Sequence, residues 1–120
     1  MPHTHFLECF KDVLLRKPDT PALITSDNKT IAWSKYYADT SSFANGLKSY
    51  DVNANETIAI MGFNHYYWHV SAIGSAVYGS PFTGIYPTNG PEEVEHNLSL
   101  TNTSVLVIEN MKLLEKINLR

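Results

Sequence analysis

Two histidines four residues apart are the first candidates for chemistry in this 120-residue chain. His65 and His69 would share one face of a helix, and imidazoles at that spacing can bind zinc. The residues between them are Tyr, Tyr and Trp, so the glutamate of a His-Glu-X-X-His metalloprotease motif is missing. No Cys, Asp or Glu lies nearby in sequence to complete a ligand set. We predict that neither this pair nor His3 and His5 binds a metal.

Two turns are the next candidates because each follows a predicted strand. They are Met61–Asn64 and Tyr86–Gly90, and α/β folds bind ligands outside the carboxyl ends of parallel strands. The chain has neither a Gly-X-X-X-X-Gly-Lys-Ser/Thr loop nor a Gly-X-Gly-X-X-Gly turn. A tight turn that leads into a helix explains each segment, and direct phosphate binding at Gly62 is the less favoured alternative.

The remaining candidates are carboxylates and one thiol. Glu92, Glu93 and Glu95 follow Pro91, where acidic side chains interact with the positive end of a helix dipole. We assign them that structural role rather than acid–base catalysis. Cys9 lies on a predicted helix without a neighbouring histidine, which favours a buried structural thiol over a nucleophile. The sequence therefore assigns no catalytic, cofactor-binding or metal-binding residue.

The middle of the chain is a run of 35 residues, from Thr57 to Pro91, without Asp, Glu, Lys or Arg. Polar residues and prolines interrupt the run, so it does not read as a membrane span. We interpret it as strand Thr57–Met61, helix Asn64–Gly79 and strand Pro81–Ile85. Short, nearly all-apolar strands are typical of a parallel sheet that is covered on both faces.

The flanking segments add four helices, a hairpin and a third parallel strand. The predicted elements are helix Thr4–Lys17, a β-hairpin of Ala22–Thr25 and Thr30–Trp33, a helix capped by Ser34, a helix from Pro91 to Asn102 or Thr103, strand Val105–Ile108, and a helix from Met111 to Arg120. We expect Asn64 to cap the middle helix and its small residues to pack against the sheet. The predicted fold is α/β, an open and mostly parallel sheet with flanking helices and an N-terminal hairpin, in one domain spanning residues 1–120.

Composition limits the partners and the compartment. Nine basic and 12 acidic residues give a pI near 5.9, which argues against nucleic acid as a partner. The single cysteine cannot form an internal disulfide and fits a reducing compartment. The first residues do not have the pattern of a secretory signal. We expect a cytoplasmic protein without a transmembrane span, with peripheral contact to internal membranes left open.

Several short segments, spread in order along nearly the whole chain, match segments of a known enzyme family. They are Asp19–Leu23, Trp33–Tyr37, Ile58–Asn64, Trp68, Gly84–Tyr86 with Thr88 and Asn89, Pro91–Glu92, and Leu114–Ile117. Together they resemble the amino-terminal part of acyl-CoA synthetases in the AMP-forming adenylating superfamily, in particular the long-chain fatty acyl-CoA synthetases of the bubblegum type. The chain departs from that pattern at His65–Tyr67, where the family has Ser-Pro-Glu, and at Pro87 and Gly90, where Thr and Ser are common.

The resemblance implies part of an adenylating-enzyme N-domain. A complete family member joins ATP and a fatty acid to an acyl-adenylate, with Mg²⁺, and then transfers the acyl group to coenzyme A. Its phosphate loop, adenine-side motif, ribose-binding Asp and catalytic Lys lie beyond the matched region, so no site residue carries over and we expect no cofactor bound by this segment. We expect a truncated ligase that is inactive alone, self-associating or associating with a full-length synthetase. The alternatives are a noncatalytic α/β binding or interaction module and the product of a decayed gene.

Overall fold

Ten elements alternate along the chain in a computed structural model that describes residues 5–117. They are α1 (Phe6–Arg16), β1 (Pro21–Ile24), β2 (Thr30–Ala32), α2 (Trp33–Ser49), β3 (Thr57–Met61), α3 (Tyr66–Tyr78), β4 (Phe82–Ile85), α4 (Pro91–Leu100), β5 (Thr103–Ile108) and α5 (Met111–Lys116). The predicted order of helices and strands is confirmed, and the bounds of β3 match the prediction.

The larger sheet has three parallel strands in the order β4-β3-β5. Its register places Ile60 of β3 beside Gly84 of β4 and Val107 of β5. All five residues of β3 are buried, which is the state expected of a central parallel strand. The strands β1 and β2 form a separate antiparallel hairpin. The predicted α/β class with an N-terminal hairpin is therefore confirmed.

Each face of the parallel sheet has its own apolar core. Ala59 and Met61 point to the face that α4 and α5 cover, where they pack with Val94 and Ile117. Ile58 points to the other face and packs with Leu47 of α2 and its neighbours. A third, aromatic cluster around Phe10 joins α1 to α2, α3 and the hairpin. The alternation of side chains along β3 decides which residues meet which helices.

One small residue of the middle helix packs differently from the prediction. The small residues of this helix were expected to lie against the sheet, but Gly74 faces α2: a Cβ atom there would lie 2.7 Å from Phe43 Cδ1 and 3.0 Å from the Thr40 carbonyl oxygen. The close approach that glycine permits is therefore between two helices. Gly79 follows the helix as its C-cap with φ of 97°, a left-handed conformation that suits glycine.

Two predicted helix caps are wrong. The helix α2 begins at Trp33, one residue before Ser34, and its N-cap is Ala32 at the end of β2, without a side-chain cap. In α3 the N-cap is His65 rather than Asn64, and its Nδ1 accepts a hydrogen bond from the Tyr67 amide at 3.1 Å. Neutral imidazole can accept as well as donate, so histidine can replace the usual Asn or Asp. His5 caps α1 in the same way.

Three further expectations need correction. The helix α5 ends at Lys116 rather than continuing to Arg120, and the last three residues lie outside the described range. The strand β4 is not covered on both faces: Phe82 is 42% exposed, because β4 is an edge strand in the described sheet. Cys9 is exposed rather than buried, because α1 turns its neighbour Phe10 into the aromatic cluster and leaves Cys9 on the solvent side. Within residues 5–117, no helix is long and apolar enough to cross a membrane.

Candidate functional site

The carboxyl ends of the three parallel strands open into two adjoining cavities. The first has a volume of about 530 Å³ and lies where β3 and β5 end, against the start of α3. The second has a volume of about 700 Å³ and lies where β3 and β4 end, against Tyr86–Thr88. Gly62, Phe63 and Trp68 line both cavities. We refer to the two cavities together as the carboxyl-edge cleft. It includes residues of both turns that the sequence singled out.

Trp68 of α3 forms the wall that the two cavities share. Its ring lies over β4, where a Cβ atom on Gly84 would be 3.2 Å from Trp68 Cζ2. The indole also meets the Phe82 ring edge-on, with centroids 6.4 Å apart. Gly84 therefore leaves the space that lets a bulky indole approach the backbone of an edge strand closely.

Glu109 holds the turn between β3 and α3. Its amide donates to the Met61 carbonyl at 3.0 Å, and its Oε2 accepts from the Phe63 amide at 3.1 Å. Gly62 fits closely beside it, since an added Cβ would lie 3.0 Å from Glu109 Cβ. Glu109 was not among the candidate residues predicted from the sequence. The available signal was a carboxylate directly after the third parallel strand, at the edge where all three strands end.

The lining of the carboxyl-edge cleft is mainly apolar and aromatic. Phe63 is 60% exposed and Tyr67 is 65% exposed, although both are large rings beside a cavity. The His65 ring lies beside the Tyr67 ring, with centroids 5.2 Å apart. Its Nδ1 accepts the hydrogen bond that caps α3. A concave site lined mainly by apolar and aromatic side chains suits flat or aliphatic ligand groups.

A polar link between α2 and α3 holds the start of α3 in place. The Tyr66 hydroxyl donates to Asp39 Oδ2 at 2.8 Å, and Lys35 Nζ lies 2.7 Å from the same oxygen. The Lys35 hydrogen bond lowers the pKa of Asp39 below its ordinary value of 3.8. Burial, followed by the hydrogen bond to Asp39, raises the pKa of Tyr66 above its ordinary value of 10.0. Both pKa shifts stabilise the same pair of states, a protonated Tyr66 phenol that donates to an ionised Asp39 carboxylate.

The two histidines do not both lie within a helix, as the spacing had suggested. His65 lies before the first turn of α3, while His69 is within the helix, and both line a separate cavity of about 620 Å³ beside the hairpin residue Asp27. Among residues 5–117, no three His, Cys, Asp or Glu side chains are grouped so that they could hold a metal. His3 lies outside that range, and the absence of a zinc site stays a prediction.

The glutamates take structural positions. Glu92 and Glu93 are in the first turn of α4, and Glu93 Oε2 accepts from the Gly90 amide at 3.2 Å, the one half of a capping box that a glycine N-cap allows. Glu95 is exposed one residue beyond the buried Val94. The predicted position of Glu92 and Glu93 at the start of a helix is confirmed.

The cleft does not fit a magnesium-bound triphosphate. Glu109 is its one charged lining residue among the described ones, and neither Lys nor Arg contributes to the two cavities. A triphosphate is held by backbone amides of a Gly-rich loop with a cationic side chain, and Mg²⁺ by several oxygens. The turn Met61–Asn64 supplies one glycine, and its Phe63 amide is occupied by Glu109. The described residues suit an apolar or aromatic group better.

A parallel sheet with helices on both faces and a cleft at its carboxyl edge defines an open α/β ligand-binding domain. A family described as "AMP-binding enzyme" matches residues 10–119. The chain therefore belongs to the AMP-binding enzyme family, and the resemblance inferred from the sequence is confirmed.

Two curated relatives illustrate the similarity. Long-chain-fatty-acid–CoA ligase ACSBG2 of Mus musculus is 32% identical over 113 residues, which are 92% of this chain and 17% of the relative. Long-chain-fatty-acid–CoA ligase ACSBG1 of Homo sapiens is 33% identical over 87 residues, which are 72% of this chain and 12% of the relative. The chain thus spans less than a fifth of the length of these ligases.

Solved structures show the same fold at lower identity. The anthranilate CoA ligase AuaEII, in complex with anthranoyl-AMP, superposes with a TM-score of 0.85 at 21% identity, covering 96% of this chain and 23% of that one. The N-terminal subdomain of Klebsiella oxytoca NpsA superposes with a TM-score of 0.81 at 16% identity, covering 93% of this chain and 28% of that one. These matches confirm the adenylating-enzyme fold of the described residues.

Proposed function

We propose that this chain is one section of a long-chain fatty acid–CoA ligase. The complete enzyme would use ATP, with Mg²⁺, to activate a fatty acid as its acyl-adenylate and then form acyl-CoA. The observation that carries the proposal is the 32% identity to a ligase of that name across 92% of the chain. Fatty acid, ATP and coenzyme A are accordingly the proposed partners of the complete protein.

The role that we propose for this section is to form scaffold and one wall of the active domain. Its carboxyl-edge cleft offers Phe63, Tyr67 and Trp68 rather than cations, so it supports an apolar portion of a bound molecule. The groups that hold phosphate and metal would come from other sections. We therefore propose that the chain has no ligase activity by itself.

The test of this role is an assay for acyl-CoA. Purified chain is incubated with oleate, ATP, Mg²⁺ and coenzyme A, and the thioester is measured against a reaction without protein and against purified ACSBG2. We expect no thioester above the blank from the chain and clear product from the relative. Product from the chain alone would contradict the scaffold role.

A noncatalytic binding module is the second candidate, favoured by the exposure of Phe63 and Tyr67 beside a cavity. Quenching of tryptophan emission by a brominated fatty acid would report occupancy near Trp68. We expect loss of that quenching in Trp68→Phe and retention in Trp33→Phe, because Trp33 lies in the aromatic cluster around Phe10. Saturable quenching without ATP would support the module, and its absence would favour the scaffold role alone.

Self-association and a cytoplasmic location also belong to this proposal. The edge strand β5 has the sequence Thr-Ser-Val-Leu-Val-Ile and no charged residue. Uncharged edge strands of that composition pair readily with other chains.

The single cysteine supports a reducing compartment, and therefore the proposed cytoplasmic location.

A further inference from the structure

The chain contains two Asn-Gly dipeptides in very different backbone settings. Asn45 and Gly46 lie inside α2, whereas Asn89 and Gly90 lie in the segment between β4 and α4. An asparagine followed by glycine is the pair most prone to spontaneous deamidation, because no side chain shields the glycine nitrogen. The local backbone then decides whether that nitrogen can reach the asparagine side chain.

We propose that Asn89-Gly90 is a spontaneous deamidation site of this protein and that Asn45-Gly46 is protected. In the reaction the Gly90 nitrogen attacks Asn89 Cγ, forming a new C–N bond. The Cγ–Nδ2 bond breaks, and ammonia leaves with the proton that Gly90 gives up. Water then opens the resulting succinimide at either carbonyl, its hydroxyl going to carbon and its proton to nitrogen. The products are aspartate and isoaspartate at position 89.

The turn at position 89 leaves the attacking nitrogen accessible. The Asn89 amide is hydrogen-bonded to the Tyr86 carbonyl at 3.0 Å, and the next amide, that of Gly90, is not bonded to backbone in the described structure. It donates instead to Glu93 Oε2 at 3.2 Å. That carboxylate is placed to accept the proton that Gly90 loses on attack and to pass it to the leaving ammonia. Space around the glycine does not distinguish the two pairs, since an added Cβ would meet no atom within 4 Å at either Gly90 or Gly46.

The helix protects the other pair. An interior helical amide is bonded to the carbonyl four residues earlier, and helical ψ of about −42° keeps the Gly46 nitrogen turned away from Asn45 Cγ. Asn45 is exposed, whereas Asn89 is half-buried and so less accessible to solvent. Exposure alone would therefore predict the opposite order of reactivity, which makes the comparison a test of backbone geometry.

The modification would change the wall of the carboxyl-edge cleft. Isoaspartate adds a methylene to the main chain directly before the N-cap of α4, and either product adds a carboxylate near Glu92 and Glu93. Val94, in the first turn and a half of that helix, is fully buried in the core. The turn Tyr86–Thr88, which precedes Asn89, lines the second cavity.

The test is incubation of the folded chain in mildly alkaline buffer, with peptide mapping by mass spectrometry at both asparagines. We expect Asn89 to react about tenfold faster than Asn45 or more, which corresponds to ~1.4 kcal/mol of barrier. Gly90→Ala should slow reaction at Asn89 by a similar factor, because it crowds the nitrogen while φ of −74° suits alanine. Gly46→Ala is the matched control and should leave the Asn89 rate unchanged.

Two further arms separate the proposal from its alternatives. In urea, where α2 is unfolded, the two sites should react at comparable rates, so a preserved difference would contradict the geometric argument. Glu93→Gln keeps an acceptor for the cap and should slow the reaction at Asn89; an unchanged rate would overturn the role of Glu93 as proton acceptor. Equal rates at Asn45 and Asn89 in the folded chain would overturn the proposal itself.

Discussion

Gly74 of α3 lies directly against Phe43 of α2, so close that an added Cβ would be 2.7 Å from Phe43 Cδ1 and 3.0 Å from Phe43 Cβ. The same added Cβ would lie 3.0 Å from the Thr40 carbonyl oxygen, which belongs to the backbone of α2. The two central helices of the domain are therefore packed at a distance that only glycine allows.

The first prediction follows from this contact. Gly74→Ala should lower the free energy of unfolding by about 1–2 kcal/mol, since overpacking costs ~1–3 kcal/mol and the gain in helix propensity returns up to ~1 kcal/mol. The measurement is urea unfolding followed by circular dichroism.

Gly46→Ala is the matched control, because Gly46 is also helical but has no atom within 4 Å of an added Cβ. It should raise stability by up to ~1 kcal/mol. Equal effects of the two substitutions would contradict the close packing of α2 on α3.

Much of the fold followed from local patterns. The strand Thr57–Met61 was predicted with its observed bounds, because an uncharged apolar segment between polar turns has few other solutions. The start of α4 at Pro91 followed from proline and two carboxylates in a first helical turn. Both features depend on neighbouring residues alone.

The features that sequence reasoning missed depend on distant partners or unusual chemistry. Glu109 contacts the Phe63 amide across 46 positions of sequence, so its place after a strand could mark it as a candidate but could not identify its partner. The caps at His5 and His65 use an imidazole nitrogen as acceptor, which residue preferences for Ser, Thr, Asp and Asn overlook. The exposure of Cys9 depended on which face of α1 meets the aromatic cluster.

The second prediction concerns pH. The pKa of Asp39 is lowered, so its contribution to stability is present above its ordinary value of 3.8 and is lost as pH falls through the folded-state value. The pKa of Tyr66 is raised, so its contribution is present below its ordinary value of 10.0 and is lost as pH rises through the folded-state value.

Tyr66→Phe removes the hydroxyl and should cost ~1 kcal/mol at neutral pH, the net value of one hydrogen bond. It should also flatten the loss of stability above pH 10.0. Tyr67→Phe is the control, since Tyr67 is exposed and should leave the profile unchanged. Parallel alkaline profiles for the native chain and Tyr66→Phe would show that the link to Asp39 is unimportant.

The third prediction concerns the edges of the sheet. We expect the isolated chain to bind a hydrophobic dye, to melt broadly or to self-associate, because Phe82 is exposed on β4 and β5 is an uncharged edge. Sedimentation over a range of concentrations measures the association.

Ser104→Lys places a charge on β5 at an exposed position and should weaken self-association. Ser42→Lys adds the same charge on exposed α2 and should not. A dye-silent monomer with a sharp unfolding transition would instead indicate a self-sufficient module.

The most direct test of the proposed function is a chimera. Residues 10–119 of this chain, the range that the family matches, replace the aligned segment of mouse ACSBG2, and oleoyl-CoA formation is measured beside native ACSBG2 and a variant with the segment deleted. We predict that the chimera forms oleoyl-CoA while the deletion variant does not, because the segment supplies scaffold that fits the rest of a fatty acid–CoA ligase. A folded chimera as inactive as the deletion variant would contradict that claim.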